Sequence, residues 1–324
     1  MPTKGLLLLS AGSKIAIARI AKESAFLRGL ALHVSDCRHD VPTRLVSDQF
    51  VEFPPNDSPN WGNLLLDYCA TNAIGLIVPT RHSDLLPLSR ISGELARIGT
   101  ALPLSSPACL DICLRKSNTA RFFESIGIPT PQTTLRRDLD TSPLANRFPL
   151  FAKPNTGSAA SGTRIVETAD QVSGIPDDWI LQTIATGNEY TINVYIDRHG
   201  APLCIIPHRR IEIEAGEVTQ ARTERVSPLI EAARHTVSAL PGATGILNLQ
   251  AFHNPTSGAF QFIEINPRIG GGFPLVHQAK GHYIEWLCQE WLDGKSLRSF
   301  DRWTKHLLMM RHREALFEIR SSDT

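Results

Sequence analysis

The chain has 324 residues, a formal net charge of +1 and 42% hydrophobic residues, enough for two or three modest globular domains. A charge near zero without a lysine or arginine block argues against nucleic-acid binding, and no apolar run approaches the length of a membrane span. Six scattered cysteines without zinc spacing indicate reduced thiols, so we expect a cytoplasmic protein.

The first third of the chain alternates between strand-like and helix-like segments. The predicted strands are 5–10, 30–35, 50–53 and 74–78, and the predicted helices are 14–27 and 61–72. This alternation predicts an open α/β layer with a parallel sheet, in which ligands gather beyond the carboxyl ends of the strands. Asp36, His82 and Asp84 lie in loops after strands, where a capped turn is the commoner explanation of each.

Residues 107–127 form the next unit. A helix that starts near Lys116 is expected to end at Gly127, because Pro129 and Pro131 follow directly. Taken alone, Lys116 is most simply a solvated surface lysine.

A strand–loop–strand segment rich in glycine and serine follows. Residues 148–154 are strand-like with Lys153 near the end, and 164–166 form the return strand. Such a loop exposes backbone N–H groups without bulky side chains, which suits phosphate oxygens, and Lys153 adds a positive charge. It is not a P-loop, because the Gly-Lys-Ser/Thr ending is absent and no helix follows. The candidate phosphate-binding loop residues are Gly157, Ser158, Ser161 and Gly162.

The remaining elements alternate strands with helices. Arg209 and Arg210 are adjacent on a predicted strand and point to opposite faces, so only one is expected to enter a cleft. The other predicted elements are a strand within 179–197, a helix at 227–240, a strand at 246–252, a helix at 284–292 and a final strand within 307–319.

The segment 260–272 carries the strongest chemical pattern. A strand-like run should stop at Asn266, because Pro267 cannot donate to a sheet ladder. Glu264 and Asn266 then share one face, and a turn at 254–258 lets Gln250 face Glu264 across a hairpin. A carboxylate with amide oxygens suits Mg²⁺, and Arg268 is placed to hold an anion beside the metal.

Gln250 with Glu264-Ile-Asn-Pro-Arg268 resembles the metal-binding signature of ATP-grasp enzymes, and is closest to the stand-alone ligases of the carbamoyl-phosphate-synthase-like branch. Three other features are similar to that family: the Lys153-Pro-loop order, the segment from Gly187 to Tyr190, and the Gly-Ile-Pro-Thr-Pro sequence that follows the 116–127 helix. The resemblance implies an α/β protein with α+β lobes, in which an open parallel α/β domain precedes the ATP-grasp fold. The implied domains are 1–106, a small lobe at 107–182 and a large lobe at 183–324.

The same resemblance implies how the nucleotide and metal would bind. Two Mg²⁺ ions, which Mn²⁺ could replace, would be held on the ATP phosphates by Gln250, Glu264 and Asn266. Lys116, Lys153 and the loop would contact the phosphates, and Glu189 would contact the nucleotide or the surroundings of its metal.

Two further regions are compared with the family. The hinge that reads adenine falls at Gln182 and Thr183, where the family usually has a carboxylate for the ribose hydroxyls. Arg268 would steady an acyl-phosphate. Of the two adjacent arginines, Arg210 is favoured over Arg209 for contact with phosphate or a substrate carboxylate.

The resemblance implies an ATP-dependent ligase that joins a small-molecule carboxylate to an amine through an acyl-phosphate. One alternative is phosphorylation of bicarbonate or carbamate, which the single ATP-grasp unit disfavours. Another is a nucleotide-binding sensor without catalysis, which the intact Glu264, Asn266 and Arg268 set disfavours. The superfamily is often dimeric, so a homodimer is an expected option, with no nucleic-acid or membrane partner.

Overall fold

The computed structural model of the chain describes residues 5–157 and 162–319. These residues divide into two compact units. Unit 1 contains the described parts of 5–103, 282–297 and 310–319, and unit 2 contains the described parts of 104–281 and 298–309. No helix within the described ranges is long and apolar enough to cross a membrane.

The regular elements are numbered in chain order. The strands are β1 (Gly5–Leu9), β2 (Ala31–Asp36), β3 (Gln49–Glu52), β4 (Ile74–Pro79), β5 (Thr133–Leu135), β6 (Leu150–Pro154), β7 (Arg164–Val166), β8 (Trp179–Gln182), β9 (Asn188–Ile196), β10 (Pro202–Glu214), β11 (Glu217–Thr223), β12 (Gly245–His253), β13 (Phe260–Asn266) and β14 (Leu308–Met310). The helices are α1 (Ile15–Phe26), α2 (Trp61–Thr71), α3 (Leu85–Arg90), α4 (Ser92–Arg97), α5 (Pro107–Leu114), α6 (Lys116–Ser125), α7 (Ser227–Ala239), α8 (Phe273–Gln278) and α9 (Tyr283–Trp291).

Unit 1 is built on a four-stranded parallel sheet in the order β3-β2-β1-β4. The central strand β1 is buried along its whole length, as expected for a run of leucines covered on both faces. α1 packs beside β1 and β2 and also against α9, which the chain contributes from much later in the sequence. The predicted open parallel α/β layer is confirmed.

Unit 2 contains two sheets. The smaller, in the order β5-β8-β6-β7, packs its apolar side chains into a separate small core that includes Leu150, Val166 and Leu181. The larger has six strands in the order β13-β12-β9-β10-β11-β14. The predicted final strand is confirmed as the short β14 at the edge of this sheet.

The two faces of the six-stranded sheet differ in chemistry. Ile192 and Val194 of β9 and Leu249 of β12 pack into the main core with helix α7. The alternate residues of the same strands form the opposite face, because successive side chains of a strand point to opposite sides. The polar side chains of this polar face are Glu189, Thr191, Asn193, His208, Arg210, Asn248, Gln250, Glu264 and Asn266.

Candidate active site on the polar sheet face

The β12–β13 hairpin brings the predicted metal ligands together. Gln250 lies directly opposite Glu264, and Asn248 lies opposite Asn266. Directly opposed residues in an antiparallel pair point to the same face, so their side chains are neighbours. Asn266 is 2% exposed, whereas Gln250 and Glu264 are half-buried. The predicted hairpin, with Gln250 facing Glu264, is confirmed.

The turn after β13 holds Arg268 next to the carboxylate. The Arg268 backbone N–H donates to the Asn266 carbonyl at 2.9 Å, and Nη1 donates to the Ile269 carbonyl at 3.0 Å. Its Nε is buried and has no hydrogen-bond partner within the described residues. Burial lowers the pKa of Arg268, while the charges of Glu264 and Glu217 raise it. The guanidinium therefore keeps unused donors close to the Glu264 carboxylate.

Two lysines act on the same carboxylate, one buried on strand β6 of the smaller sheet and one half-buried at the start of α6. Lys153 on β6 is 6% exposed, and burial lowers its pKa to about 8, against the attraction of Glu264. Lys116, the first residue of α6, donates from Nζ to the Gly157 carbonyl at 2.9 Å. Burial also lowers the pKa of Lys116, and Glu264 again opposes this shift. Lys116, Lys153 and Arg268 therefore all act on Glu264, while Glu189 also acts on Lys153 and Glu217 also acts on Arg268.

A second carboxylate on this face is paired with an arginine. Arg210 Nη1 lies 2.7 Å from Glu189 Oε1, and Nη2 donates to the Gly216 carbonyl at 3.1 Å. Burial raises the pKa of Glu189, Arg210 lowers it, and Glu264 raises it again. Arg209 is in register with Tyr190, which belongs to the apolar face. Of the two adjacent arginines, it is Arg210 that faces the predicted site.

The segment that leads into the predicted phosphate loop is anchored at the start of α6. The Asn155 carbonyl accepts from the Lys116 backbone N–H at 2.9 Å, and its side-chain oxygen accepts from the Ser117 N–H at 2.9 Å. Gly157 has φ 92° and Gly162 has φ 75°, both in the left-handed region that favours glycine. The predicted loop residues Ser158 and Ser161 lie outside the described residues.

The side chains of the predicted hinge residues, Gln182 and Thr183, form hydrogen bonds with residues of and next to β5. The Thr183 backbone N–H donates to the Gln132 carbonyl at 3.0 Å, and its hydroxyl oxygen accepts from the Gln132 N–H at 3.1 Å. Gln182, 3% exposed, donates from Nε2 to the Thr133 hydroxyl at 2.7 Å. Gln182 thus links β8 to β5, and Thr183 links the end of β8 to Gln132, the residue before β5. Their contact with a nucleotide stays a prediction.

Several polar residues of this face were not found by sequence reasoning. Asn193 Nδ2 lies 3.1 Å from His208 Nδ1, and Asn248 Nδ2 donates to the Arg268 carbonyl at 3.0 Å. A Cβ added to Gly272 would lie 2.6 Å from His208 Cε1, so the glycine run after Arg268 packs directly on this face. The available signal was the alternation of these polar residues with buried apolar ones.

The oxygen atoms of Glu264, Asn266 and Gln250 suit a metal ion that completes its coordination with oxygens of a bound ligand. Within residues 5–157 and 162–319, no group of three or more His, Cys, Asp or Glu side chains is placed to hold a metal ion alone. Mg²⁺ commonly takes one or two protein carboxylates and completes its shell with phosphate oxygens and water. Glu264 with the amide oxygens of Asn266 and Gln250 fits that pattern.

A Glu–Asn–Arg strand end on an antiparallel sheet, with a second sheet that carries a glycine loop and a buried lysine, defines the ATP-grasp class of protein. Residues 113–272 match the family model for an ATP-grasp domain. Residues 6–102 match the family model for a PylC-like, N-terminal domain. The chain therefore belongs to the ATP-grasp superfamily.

Comparison with a curated relative gives the same assignment. Over 182 residues the chain is 26% identical to the 3-methyl-D-ornithine–L-lysine ligase of Methanosarcina barkeri (strain Fusaro / DSM 804). The match covers 55% of this chain and 46% of that protein, so it spans about half of the relative's length. The chain is thus a homologue of ATP-grasp ligases.

Solved structures share the fold over nearly the whole chain. The L-amino acid ligase from Bacillus licheniformis gives a TM-score of 0.68 at 17% identity, covering 92% of this chain and 76% of that one. The biotin carboxylase domain of the Hydrogenobacter thermophilus 2-oxoglutarate carboxylase, solved with MgADP and bicarbonate, gives 0.74 at 13% identity, covering 95% and 74%. At these identities the likeness shows the shared ATP-grasp fold alone.

Proposed function

We propose that the protein is an ATP-dependent ligase that joins a small-molecule carboxylate to an amine. The amide bond would form through an acyl-phosphate, with release of ADP and phosphate. The observation that carries the proposal is the charge arrangement around Glu264: Lys116, Lys153 and Arg268 all act on this carboxylate. A site with these cations suits a polyphosphate with its metal, which needs positioning and charge neutralisation.

In the first step, a carboxylate oxygen of the substrate attacks the γ-phosphorus and ADP leaves. Lys153, Lys116 and the loop that begins at Gly157 would hold the phosphate oxygens, with Gln182, Thr183 and Glu189 on the nucleotide side. Glu264, Asn266 and Gln250 would hold two Mg²⁺ ions, for which Mn²⁺ could substitute. Such ions would supply positive charge that neutralises the phosphate oxygens.

In the second step, the amine attacks the carbonyl carbon of the acyl-phosphate. The C–N bond forms, the C–O bond to phosphate breaks, and phosphate leaves with the bonding electron pair while the amine loses a proton. Arg268 would stabilise the charge on the acyl-phosphate with its unused donors. Arg210, held by Glu189, would contact phosphate or the substrate carboxylate.

The test is release of ADP and phosphate from Mg·ATP with a panel of amino acids, supplied singly and in pairs, and with bicarbonate as a separate arm. Glu264→Gln is the test variant. The matched control is Glu231→Gln, an exposed glutamate on α7, the helix that covers the opposite face of the sheet. We expect turnover that needs a carboxylate and an amine together and that is lost only in Glu264→Gln.

Other outcomes would favour other functions. Turnover with bicarbonate in the absence of an amine would favour phosphorylation of bicarbonate. ATP binding without turnover in any arm would favour a nucleotide sensor. Failure of the wild-type protein to bind Mg·ATP would contradict the assignment of this face as a nucleotide site.

A further inference from the structure

Helix α5 carries two thiols in contact that the proposed function does not use. Cys109 and Cys113 are four residues apart on one face of the helix, and their Sγ atoms lie 3.9 Å apart. They are 0% and 2% exposed and belong to the main core of unit 2, together with Phe123 of α6 and Phe262 of β13. A disulfide needs two thiols within reach of each other, and this pair meets that condition.

The two thiols differ in how readily they ionise. Hydrogen bonding from Cys113, and further from Ser105, lowers the pKa of Cys109 against the effect of burial. Burial raises the pKa of the Cys113 thiol. Because the thiolate is the reactive form, Cys109 is the thiol that meets an oxidant first, and Cys113 is the thiol placed to complete a disulfide.

Joining the two sulfurs would distort the end of α5. Side chains four residues apart on a helix have Cβ atoms about 5–6 Å apart, whereas a disulfide holds its Cβ atoms about 3.5–4.5 Å apart. The beginning of α5 is fixed, because the Ser106 hydroxyl accepts from the Cys109 N–H at 3.2 Å and donates to the Pro241 carbonyl at 2.6 Å. The displacement therefore falls on the last turn, which contains Cys113.

That last turn is bonded directly to the start of α6. Asn118 Nδ2 donates to the Asp111 carbonyl at 3.1 Å, and the Thr119 hydroxyl donates to the Ile112 carbonyl at 2.8 Å. Only Arg115 separates the two helices. A shift of the last turn of α5 is therefore passed on to the first residue of α6.

The first residue of α6 is Lys116, which holds the segment leading into the predicted phosphate loop. Its backbone N–H donates to the Asn155 carbonyl at 2.9 Å, and Nζ donates to the Gly157 carbonyl at 2.9 Å. We propose that Cys109 and Cys113 are a redox modification site, at which an oxidant of the peroxide class forms a disulfide that displaces Lys116. The loss of ATP affinity expected from this displacement rests on the proposed function, but the disulfide itself does not.

Hydrogen peroxide would convert the pair in two steps. The Cys109 thiolate attacks one peroxide oxygen, the O–O bond breaks, and the departing hydroxide takes up a proton to become water, which leaves a sulfenic acid. The Cys113 sulfur then attacks the sulfenic sulfur, the S–S bond forms, the S–O bond breaks, and the thiol proton leaves with the hydroxide as water. The sulfurs lose two electrons in total, and the peroxide gains them. Because both thiols are buried, the oxidant reaches them through local opening of α5.

Peptide mapping of the full-length protein by mass spectrometry, before and after treatment with hydrogen peroxide, tests the modification. Trypsin cuts after Arg97 and Arg115, so both thiols lie in the peptide 98–115, which contains no other cysteine. We expect this peptide to lose two hydrogen atoms and to regain them with a thiol reductant. Cys37 is exposed and lies in another peptide, so its oxidation reports that the peroxide has reacted.

Titration with Mg·ATP measures the consequence at Lys116. We expect the oxidised protein to bind ATP at least about tenfold more weakly than the reduced protein. A thiol reductant should restore the affinity, which separates the disulfide from oxidised methionine. The test variant Cys113→Ala should keep its affinity after peroxide, whereas the matched control Cys204→Ala, at a 1% exposed cysteine on β10, should lose it as wild type does. Because ATP would hold Lys116 in place, Mg·ATP should slow disulfide formation.

Two results would overturn the proposal: Cys37 is oxidised while the peptide 98–115 forms no disulfide, or the disulfide forms and ATP affinity does not change. The readouts also separate this proposal from the proposed function. A reversible disulfide in a protein that does not bind Mg·ATP even when reduced would keep the modification site and contradict the nucleotide site. ATP binding to the reduced protein without any disulfide after peroxide would keep the nucleotide site and contradict the modification site.

Discussion

Glu189 and Arg210 form a 2.7 Å ion pair between β9 and β10, on the sheet face that also carries Glu264. The two carboxylates repel each other, since the charge of Glu264 raises the pKa of Glu189, and Arg210 offsets this repulsion. Arg210 also donates to the Gly216 carbonyl, which ties the tip of the β10–β11 hairpin to the site. Arg210 therefore both neutralises Glu189 and holds the β10–β11 turn at Gly216.

Replacing Arg210 should cost stability that is partly recovered by also replacing its partner. Arg210→Gln leaves Glu189 half-buried near Glu264 without its cation, so we expect the free energy of unfolding to fall by about 1–3 kcal/mol. In the double variant with Glu189→Gln the loss should be smaller than in Arg210→Gln. Urea unfolding of the four proteins in a double-mutant cycle measures this coupling. Additive effects would show that the pair contributes nothing.

Lys153 should destabilise the free protein at neutral pH. Burial lowers its pKa to about 8 from an ordinary value of 10.5, so between these values the unfolded chain binds more protons at this residue than the folded protein does. Stability therefore rises with pH across that window and is lowest, as far as Lys153 is concerned, below it. Well below pH 8, Lys153→Met should raise the free energy of unfolding by on the order of 3 kcal/mol.

The advantage of Lys153→Met should disappear as the pH rises above the ordinary lysine value, because both states then hold a neutral amine. The same variant should lose ATP binding, since the phosphates no longer meet a cation at this point. Urea unfolding across the pH window, with nucleotide titration at neutral pH, checks both statements. Lys305→Met, at an exposed lysine of the same unit, is the control and should show neither effect.

Much of the fold could be predicted because short-range rules decide it. Pro267 ends β13 at Asn266, and the predicted return strand 164–166 is β7 as observed. One irregularity was missed: the β12–β13 register shifts between Gln250 and Ala251, so that Phe262 pairs with Ala251. Phe262 and Glu264 thus point to opposite faces although they are two residues apart. The adjacent apolar pair of Phe262 and Ile263 was the available sign of this bulge.

The facing of the candidate site residues could be predicted only where they lie on the same strand. Glu264 and Asn266 share a face by strand geometry alone, whereas the choice of Arg210 over Arg209 depends on how β10 pairs with β9. The Thr183 hydroxyl bond to Gln132 likewise depends on the β5–β8 pairing, which local sequence does not specify. The face of Arg210 and the partner of Thr183 could not be predicted with certainty, because both depend on the register between strands that are distant in the sequence.

Two neighbouring glycines should differ sharply in their tolerance of alanine. A Cβ on Gly272 would lie 2.6 Å from the ring of buried His208, whereas the nearest atom to a Cβ on Gly271 is the Glu217 carboxyl carbon at 3.8 Å. We expect Gly272→Ala to lower the free energy of unfolding by about 1–3 kcal/mol and Gly271→Ala to change it by less than about 0.5 kcal/mol. Urea unfolding of both variants measures this difference. Equal effects of the two substitutions would mean that Gly272 does not pack closely against His208.

A second carboxylate opposite Glu264 should make the stability of the protein depend on divalent metal. In Gln250→Glu, two like charges lie directly across the β12–β13 hairpin, so the metal-free variant should unfold at lower temperature than wild type. Mg²⁺ or Mn²⁺ bound between the carboxylates would offset this repulsion, because metal binding to the folded state alone stabilises it. Melting temperatures with and without each ion provide the measurement, and Gln278→Glu, at an exposed position on α8, is the control. If neither ion raises the melting temperature of Gln250→Glu above that of the metal-free variant, Gln250 and Glu264 do not share a metal.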